Sequence, residues 1–277
     1  MAALLALGGA VCWGVGDFLG GLAARRIAVL TVIVVSQAVG LAGLAAWVWL
    51  AGEPFPGGPE LLPAAGAGVA VLVGVVALYR GLAIGAMGIV APISAAGPVV
   101  PLAVDAARGT TPSAPQWLGI ALVLVGIAAL SREPSPSGGR QATTGAGLAV
   151  LAALGFGLFF VGIDAASDES ATWAVLTARC AAVPLAAVAA LATSAALRPP
   201  RAMWPVLVTV GLVDTFANVL VATATTRGAA GIVAVLSSLY PVVTIVLARI
   251  VLAETLSAQK RIGGVVALAG AAFVAAG

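Results

Sequence analysis

The chain has 277 residues, of which 62% are apolar and only 8% charged, and its mean hydropathy is +1.16. A soluble domain carries about 25% charged residues, so the composition excludes a soluble enzyme, a nucleic-acid-binding protein and a disordered protein. The net charge of +3 comes from 13 scattered basic residues and forms no basic stripe for a nucleic acid, which leaves a polytopic membrane protein.

Ten apolar runs approach the length of about 20 residues that a helix needs to cross a bilayer. In chain order they are Ala2–Ala23, Ala28–Leu50, Leu61–Ile84, Ile89–Val104, Gln116–Leu130, Gly145–Ala165, Thr172–Ala195, Met203–Thr225, Gly231–Leu252 and Arg261–Ala276. The runs do not alternate in polarity, so strands are not expected. No basic segment precedes the first run, which is therefore interpreted as a permanent helix and not as a signal peptide.

The longest polar connection, residues 131–144, divides the chain into residues 1–130 and residues 145–277. Its Pro, Ser and Gly content is typical of a linker. A shift of 143 residues aligns the two halves, and ten of the sixteen positions from Gly85 to Val100 are then identical to Gly228–Val243. The sequence therefore predicts an internal repeat.

Each half has five predicted spans. Because five is odd, the second half would enter the membrane from the opposite side, which makes an inverted repeat. Inverted repeats build secondary transporters whose substrate site lies near the middle of the membrane, where the halves meet. The predicted fold is therefore an all-α polytopic membrane protein in which ten transmembrane helices form two five-helix inverted repeats around a central cavity.

Prolines interrupt the fourth and ninth spans at matching places. The fourth span contains Pro92, Pro98 and Pro101, and the ninth contains Pro241 at the position equivalent to Pro98. Proline removes a backbone donor and kinks a helix, and in a membrane the freed carbonyls must face protein or a cavity. These kinks indicate either the binding region or packing alone.

Three ionisable residues lie inside predicted spans, where charge is costly and commonly functional. Asp214 is near the middle of the eighth span, Arg179 is about a third of the way into the seventh, and Asp17 follows Trp13 by one turn in the first. At 1.5 Å per residue, Arg179 and Asp214 differ in depth by roughly 6 Å, so we predict an ion pair or a shared water network between them. Asp17 has no basic neighbour in its own helix.

The expected cavity lining combines these charges with nearby polar and aromatic groups. The predicted substrate-cavity residues are Trp13, Asp17, Gln37, Tyr79, Pro92, Ser94, Arg179, Asp214, Asn218, Ser237 and Tyr240. The alternative is that the polar members bind neighbouring helices and that the aromatic members anchor the protein at the membrane interface.

Histidine is absent, which excludes a His metal site and a Ser-His triad. The two cysteines, Cys12 and Cys180, lie in separate apolar runs and are interpreted as small buried side chains. No catalytic residue, metal or cofactor is predicted.

The sequence resembles the drug/metabolite transporter superfamily of the ten-helix EamA-domain type. The similar segments are 12–21 in the first helix, 91–94 in the fourth, and most specifically Val235–Glu254, followed by Gln259 and Gly263. The resemblance covers the whole chain and implies a basket of ten helices in which the fifth and tenth pack outside. It also implies small metabolites, such as amino acids and related compounds, as cargo that is often exported.

Two features fit this resemblance less well. The acidic residue that follows the fourth helix of a repeat is present in the second half as Glu254, whereas the first half has 109–111 (Gly-Thr-Thr) there. In addition, Lys and Arg are concentrated in the odd-numbered connections, which by the positive-inside rule places both termini outside the cytoplasm. The family expectation is cytoplasmic termini, so the side of the termini stays open.

The sequence thus predicts a secondary transporter, and not an enzyme, that exports small metabolites by alternating access. We expect a multi-pass protein of the bacterial inner membrane, acting as a monomer, with a small-molecule substrate, protons as a candidate coupling ion and no nucleic-acid partner. One alternative is a lipid-carrier flippase of the same superfamily. A remote alternative is a GxGD-type intramembrane aspartyl protease, because residues 14–17 read Gly-Val-Gly-Asp and Asp214 offers a second carboxylate.

Overall fold

The computed structural model describes residues 1–84, 87–131, 145–193, 197–253 and 257–277. Within these ranges the chain forms twelve α-helices, two 3-10 turns at Pro59–Leu61 and Arg201–Met203, and no strand. The helices are α1 (Ala2–Ala24), α2 (Val29–Ala51), α3 (Leu62–Ile84), α4 (Met87–Ser94), α5 (Val99–Ala107), α6 (Ala114–Ser131), α7 (Ala146–Ser167), α8 (Ala171–Ala192), α9 (Trp204–Thr225), α10 (Ala230–Ser237), α11 (Tyr240–Val251) and α12 (Ala258–Ala276). The predicted linker, apart from residue 131, and Glu254 lie outside the described residues.

Eight segments of the described chain are long and apolar enough to cross a membrane. Two of them, Val90–Ala107 and Ala230–Val251, each combine two consecutive helices. The predicted fifth span is present as a shorter apolar helix, Ala114–Leu130. The predicted tenth span is α12, whose first turn carries Gln259 and two basic residues and is therefore more polar. The chain is a multi-pass membrane protein, with eight such segments where the sequence predicts ten.

The two composite spans break at the predicted prolines. Helix α5 begins at Val99, directly after Pro98, and α11 begins at Tyr240, directly before Pro241. Proline has no N–H group and a fixed φ, so it is tolerated in the first turn of a helix and disrupts a helix that would continue through it. The prediction of matched interruptions in the fourth and ninth spans is confirmed.

The two halves of the chain interlock. Helix α1 packs against α9, α10 and α11, and α7, which the 143-residue shift makes its counterpart, packs against the corresponding α3, α4 and α5. Helix α2 packs against α8 and α9, whereas α8 packs against α2 and α3. Helix α10 lies in the core, since seven of its eight residues are buried. Every principal helix therefore has its main partners in the other half.

Helices α6 and α12 pair through glycines. A Cβ on Gly119 would lie 2.6 Å from the carbonyl oxygen of Gly270, and a Cβ on Gly126 would lie 2.7 Å from that of Gly263. Both distances are shorter than a van der Waals contact, so only glycine allows this separation between the backbones. Small residues at crossings are how membrane helices pack closely.

Candidate functional site

Three polar side chains from three helices meet in the middle of the bundle. Arg179 on α8 donates from Nη2 to Oδ2 of Asp214 on α9 at 2.7 Å, and from Nη1 to Oε1 of Gln37 on α2. Gln37 in turn donates from Nε2 to Oδ2 of Asp214 at 3.2 Å. We call these three residues the polar cluster. The predicted ion pair between Arg179 and Asp214 is confirmed, and Gln37 bridges its two members.

Glycines bring α2 and α9 close enough to form this cluster. A Cβ on Gly40 would lie 2.7 Å from the carbonyl oxygen of Gly211 and 3.2 Å from Nη1 of Arg179. Gln37 lies one turn before Gly40, and Asp214 lies one turn after Gly211. The close crossing therefore sets Gln37 and Asp214 side by side and leaves room for the guanidinium group between the helices.

Charge in the polar cluster is balanced and partly accessible. The side chain of Arg179 is 6% exposed, whereas that of Asp214 is 25% exposed. Removing a single charge from water is costly, so a buried guanidinium needs an anion and hydrogen-bond acceptors. Within the described part of the chain, Nε of Arg179 has no acceptor. The accessible edge of the cluster is thus the carboxylate of Asp214.

Asp17 faces the same interior space. It is exposed, although α1 is an apolar span. Its carboxylate interacts electrostatically with Asp214 on α9, with Tyr240 on α11 and with Tyr79 on α3. Trp13, one turn earlier on the same face of α1, contacts rings on α7 and α11, so this face of α1 is turned into the bundle. The space that exposes Asp17 therefore lies between the helices and adjoins the polar cluster.

Aromatic rings form one side of this space. The ring of Trp13 makes edge-to-face contacts with Tyr240, at 6.3 Å between centroids, and with Phe160 on α7, at 6.2 Å. Phe160 is not among the predicted cavity residues. The 143-residue shift was the signal that could have found it, because Phe160 occupies the position equivalent to Asp17. The two halves thus contribute a carboxylate and an aromatic ring at equivalent places.

Four other predicted cavity residues lie elsewhere or bind their own helix. Asn218 donates to the backbone carbonyl of Asp214 on its own helix, at 2.7 Å. Ser94 is buried and donates to the carbonyl of Val90, and Ser237 is fully buried and donates to the carbonyl of Ala6. Pro92 is half-buried within α4. Buried hydroxyls that bond to helix carbonyls serve packing, and the place of both serines at the cavity stays a prediction.

Two contacts between the halves, which the sequence analysis missed, tie one end of the bundle. Asp105, near the end of α5, accepts a hydrogen bond at 2.7 Å from the backbone N–H of Gly231 in the first turn of α10. Arg108, after α5, pairs with Asp164 near the end of α7 at 3.1 Å. We call these contacts the end ties. Residue numbers alone gave no signal that α5 ends beside α7 and α10. In the described ranges, no group of three His, Cys, Asp or Glu side chains is arranged to hold a metal ion.

Comparison with known proteins gives a family for the chain. The model of the EamA-like transporter family matches residues 1–132 and 143–276. A solved structure described only as "Crystal structure of protein" matches with a TM-score of 0.77 and 16% sequence identity, over 98% of this chain and 95% of the other. At that identity the match concerns the fold alone. No curated protein matches the chain.

Proposed function

Because the chain belongs to the EamA-like transporter family, we propose that it is a secondary transporter that exports small metabolites, such as amino acids and related compounds, across the bacterial inner membrane. Members of this family are membrane transporters, and transport is therefore the general activity of the chain. The substrate class, the direction, the monomeric state and the location in the inner membrane are parts of the proposal.

The observation that carries the proposal is the polar cluster beside the exposed Asp17. Gln37 and Asp17 belong to the first half, and Arg179 and Asp214 to the second, so both halves supply polar groups to one interior space. Polar groups deep in apolar spans are costly and mark substrate or ion pathways. A site shared by two halves also changes its exposure when the halves move relative to each other.

We further propose that ten spans cross the membrane as two inverted repeats, residues 1–130 and 145–277, joined by the linker 131–144. Alternating access then consists of rocking one half against the other around the polar cluster. The end ties favour this mechanism, because they join the halves at one end and would have to break for that end to open. The broken helices α4–α5 and α10–α11 place a break at matching positions in the two halves.

The test is transport by purified protein in proteoliposomes loaded with labelled amino acids and related metabolites. We expect efflux of a subset of them, and we expect Asp214→Asn to reduce it at least about tenfold by removing the anion that holds Arg179. Asp168→Asn, an exposed acid after α7, is the matched control. Wild-type protein that moves a lipid-linked carrier and no metabolite would favour the flippase instead, and protein that moves neither would refute transport of these classes.

Proton coupling through Asp17 or Asp214 belongs to the same proposal. Efflux is therefore measured with and without an inward proton gradient across the same vesicles. Faster efflux with the gradient is expected. Equal rates would contradict coupling and leave a facilitator.

A further inference from the structure

A groove lined by apolar residues runs along α2, next to the connection between α8 and α9. Its volume is about 380 Å³, and its wall includes Val35, Ala38, Val39, Ala42, Leu197 and Trp204. We call it the α2 groove. From Val34 to Ala42 it follows α2 for roughly 12 Å, which is comparable to the roughly 15 Å depth of one leaflet of a bilayer. The groove therefore has the length and polarity that suit a lipid acyl chain.

Three exposed arginines gather where α2 and α9 begin. Arg201 starts the 3-10 turn that leads into α9, and Met203 ends it. Met203 packs in the same apolar cluster as Ala23, near the end of α1. Arg25 and Arg26 follow Ala23 by two and three residues. We call Arg25, Arg26 and Arg201 the basic corner, to which both halves of the chain contribute.

The basic corner borders the α2 groove. Val35 lines the groove and belongs to the same apolar cluster as Met203, and Trp204, which also lines the groove, directly follows Met203. The connecting segments 25–28 and 193–203 contain no Asp or Glu. Clustered arginines at a membrane surface attract anionic lipid headgroups, by about fivefold in affinity for each charge.

A second groove, at the other end of α2, has the opposite charge. Its volume is about 430 Å³, and its wall includes Glu53 and Trp173. Glu53 accepts a hydrogen bond from the hydroxyl of Ser170 at 3.3 Å, and Asp168 and Glu169 directly precede that serine. Of the two grooves along α2, the α2 groove is therefore the one that suits an anionic ligand.

We infer that the α2 groove and the basic corner bind one anionic phospholipid, with an acyl chain in the groove and the phosphate at Arg26 and Arg201. The guanidinium group presents paired donors that match phosphate oxygens. A zwitterionic lipid would bring its own cation to the arginines, and a free phosphate would leave the groove unused. The site lies on the surface of the bundle and not at the polar cluster, so it is separate from the path of the transported substrate.

Quenching of Trp204 by brominated lipids tests this inference, because bromine on an acyl chain quenches a tryptophan that it contacts. Full-length protein in phosphatidylcholine nanodiscs receives increasing fractions of brominated phosphatidylglycerol or of brominated phosphatidylcholine with the same chains. The part of the quenching that Trp204→Phe removes reports the α2 groove. We expect phosphatidylglycerol to reach half-maximal quenching at about a tenfold lower fraction than phosphatidylcholine.

Two sets of variants separate the headgroup from the acyl chain. Arg26→Gln combined with Arg201→Gln should remove the preference for phosphatidylglycerol, whereas Arg227→Gln, an exposed arginine after α9, should keep it. Ala38→Phe changes an exposed alanine, fills the groove and should weaken quenching by both lipids.

Three results would overturn the inference: equal quenching by the two lipids, an unchanged preference in the double arginine variant, and unchanged quenching in Ala38→Phe. Displacement of phosphatidylglycerol by an equal concentration of glycerol phosphate would also overturn it, because the site would then bind free phosphate. The outcome is independent of the proposed function, since selective lipid binding by a protein that transports nothing would leave this site in place.

Discussion

The guanidinium group of Arg179 carries the positive charge that balances Asp214 in the middle of the bundle. It is nearly buried, it is paired with Asp214, and its second terminal nitrogen is bound by Gln37. In such an arrangement the cost of removing one partner comes mainly from the charge left behind, and not from the bond that is lost. Removing both charges together should therefore lower the free energy of unfolding less than removing either one alone.

A double-mutant cycle tests this prediction. Arg179→Gln leaves Asp214 without its cation. Because the carboxylate is 25% exposed, water partly solvates the remaining charge, and we expect the free energy of unfolding to fall by about 2–3 kcal/mol. Arg179→Gln combined with Asp214→Asn should recover at least about 1 kcal/mol of it. Unfolding of protein in micelles, followed by tryptophan fluorescence, gives the values. Arg198→Gln, exposed after α8, is the matched control, and a double variant less stable than both single variants would contradict the argument.

Among the helices, α6 and α12 depend on each other most clearly, because their glycines leave no room for a side chain. Gly126→Ala would put a Cβ 2.7 Å from the carbonyl oxygen of Gly263 and 2.5 Å from the backbone nitrogen of Ala267. The helices would have to separate, at a cost of about 1–3 kcal/mol.

The matched control for this prediction is Gly66→Ala on α3, where nothing lies within 4 Å of the added Cβ. That change should leave stability unchanged or raise it slightly, because alanine favours the helix by about 1 kcal/mol. The midpoint of thermal unfolding in detergent measures both variants. If Gly126→Ala is as stable as Gly66→Ala, the close pairing of α6 and α12 does not hold the bundle together.

Local sequence determines where helices begin, end and break, and these features could be predicted. Pro98 and Pro241 lie where their spans break, because proline lacks the N–H group, although Pro92 and Pro184 lie inside continuous helices. The depth of a residue in a span also follows from counting, and this is why the pair of Arg179 and Asp214 could be predicted. The rotation of a helix about its own axis depends on its neighbours, so counting could not show that Ser237 faces α1 and is buried.

The contacts between helices of the two halves could not be predicted from the sequence either. Phe160 and the end ties follow from the interlocking of the halves, in which α7 packs on α3, α4 and α5. The repeat could have directed attention to Phe160, since it is the counterpart of Asp17. For Asp105, no repeat partner exists to compare, because the equivalent position is Ala248.

At the scale of the whole molecule, the end ties join the two halves at the end of the bundle where α5 and α7 finish. Asp105 is buried and binds the first turn of α10, where a carboxylate also gains from the helix dipole. Arg108 is 54% exposed, so its pair with Asp164 is weak and sensitive to salt. Asp164 corresponds to Gly21 under the 143-residue shift, just as Asp105 corresponds to an alanine. The residues equivalent to Asp105 and Asp164 therefore cannot form the same ties, and we expect the ties to keep the end where α5 and α7 finish closed at rest.

Spin labels on the tied end measure this preference. Thr110→Cys and Glu169→Cys, both exposed and in different halves, carry the labels in a background with Cys12→Ala and Cys180→Ala. Asp105→Ala removes the acceptor for the N–H of Gly231, so we expect the population with the longer distance to rise by roughly fivefold or more. Asp164→Asn should have a smaller effect, because its partner is exposed.

Glu60→Gln, an exposed acid before α3, should leave the distance distribution of the spin-labelled protein unchanged. The order of the effects follows from burial: the buried tie holds the closed end more firmly than the exposed ion pair. If Asp105→Ala and Glu60→Gln give the same distribution, the contact between α5 and α10 is only a helix cap and does not bias the transporter toward one state. A larger effect of Asp164→Asn than of Asp105→Ala would show that the ion pair is the stronger of the two ties.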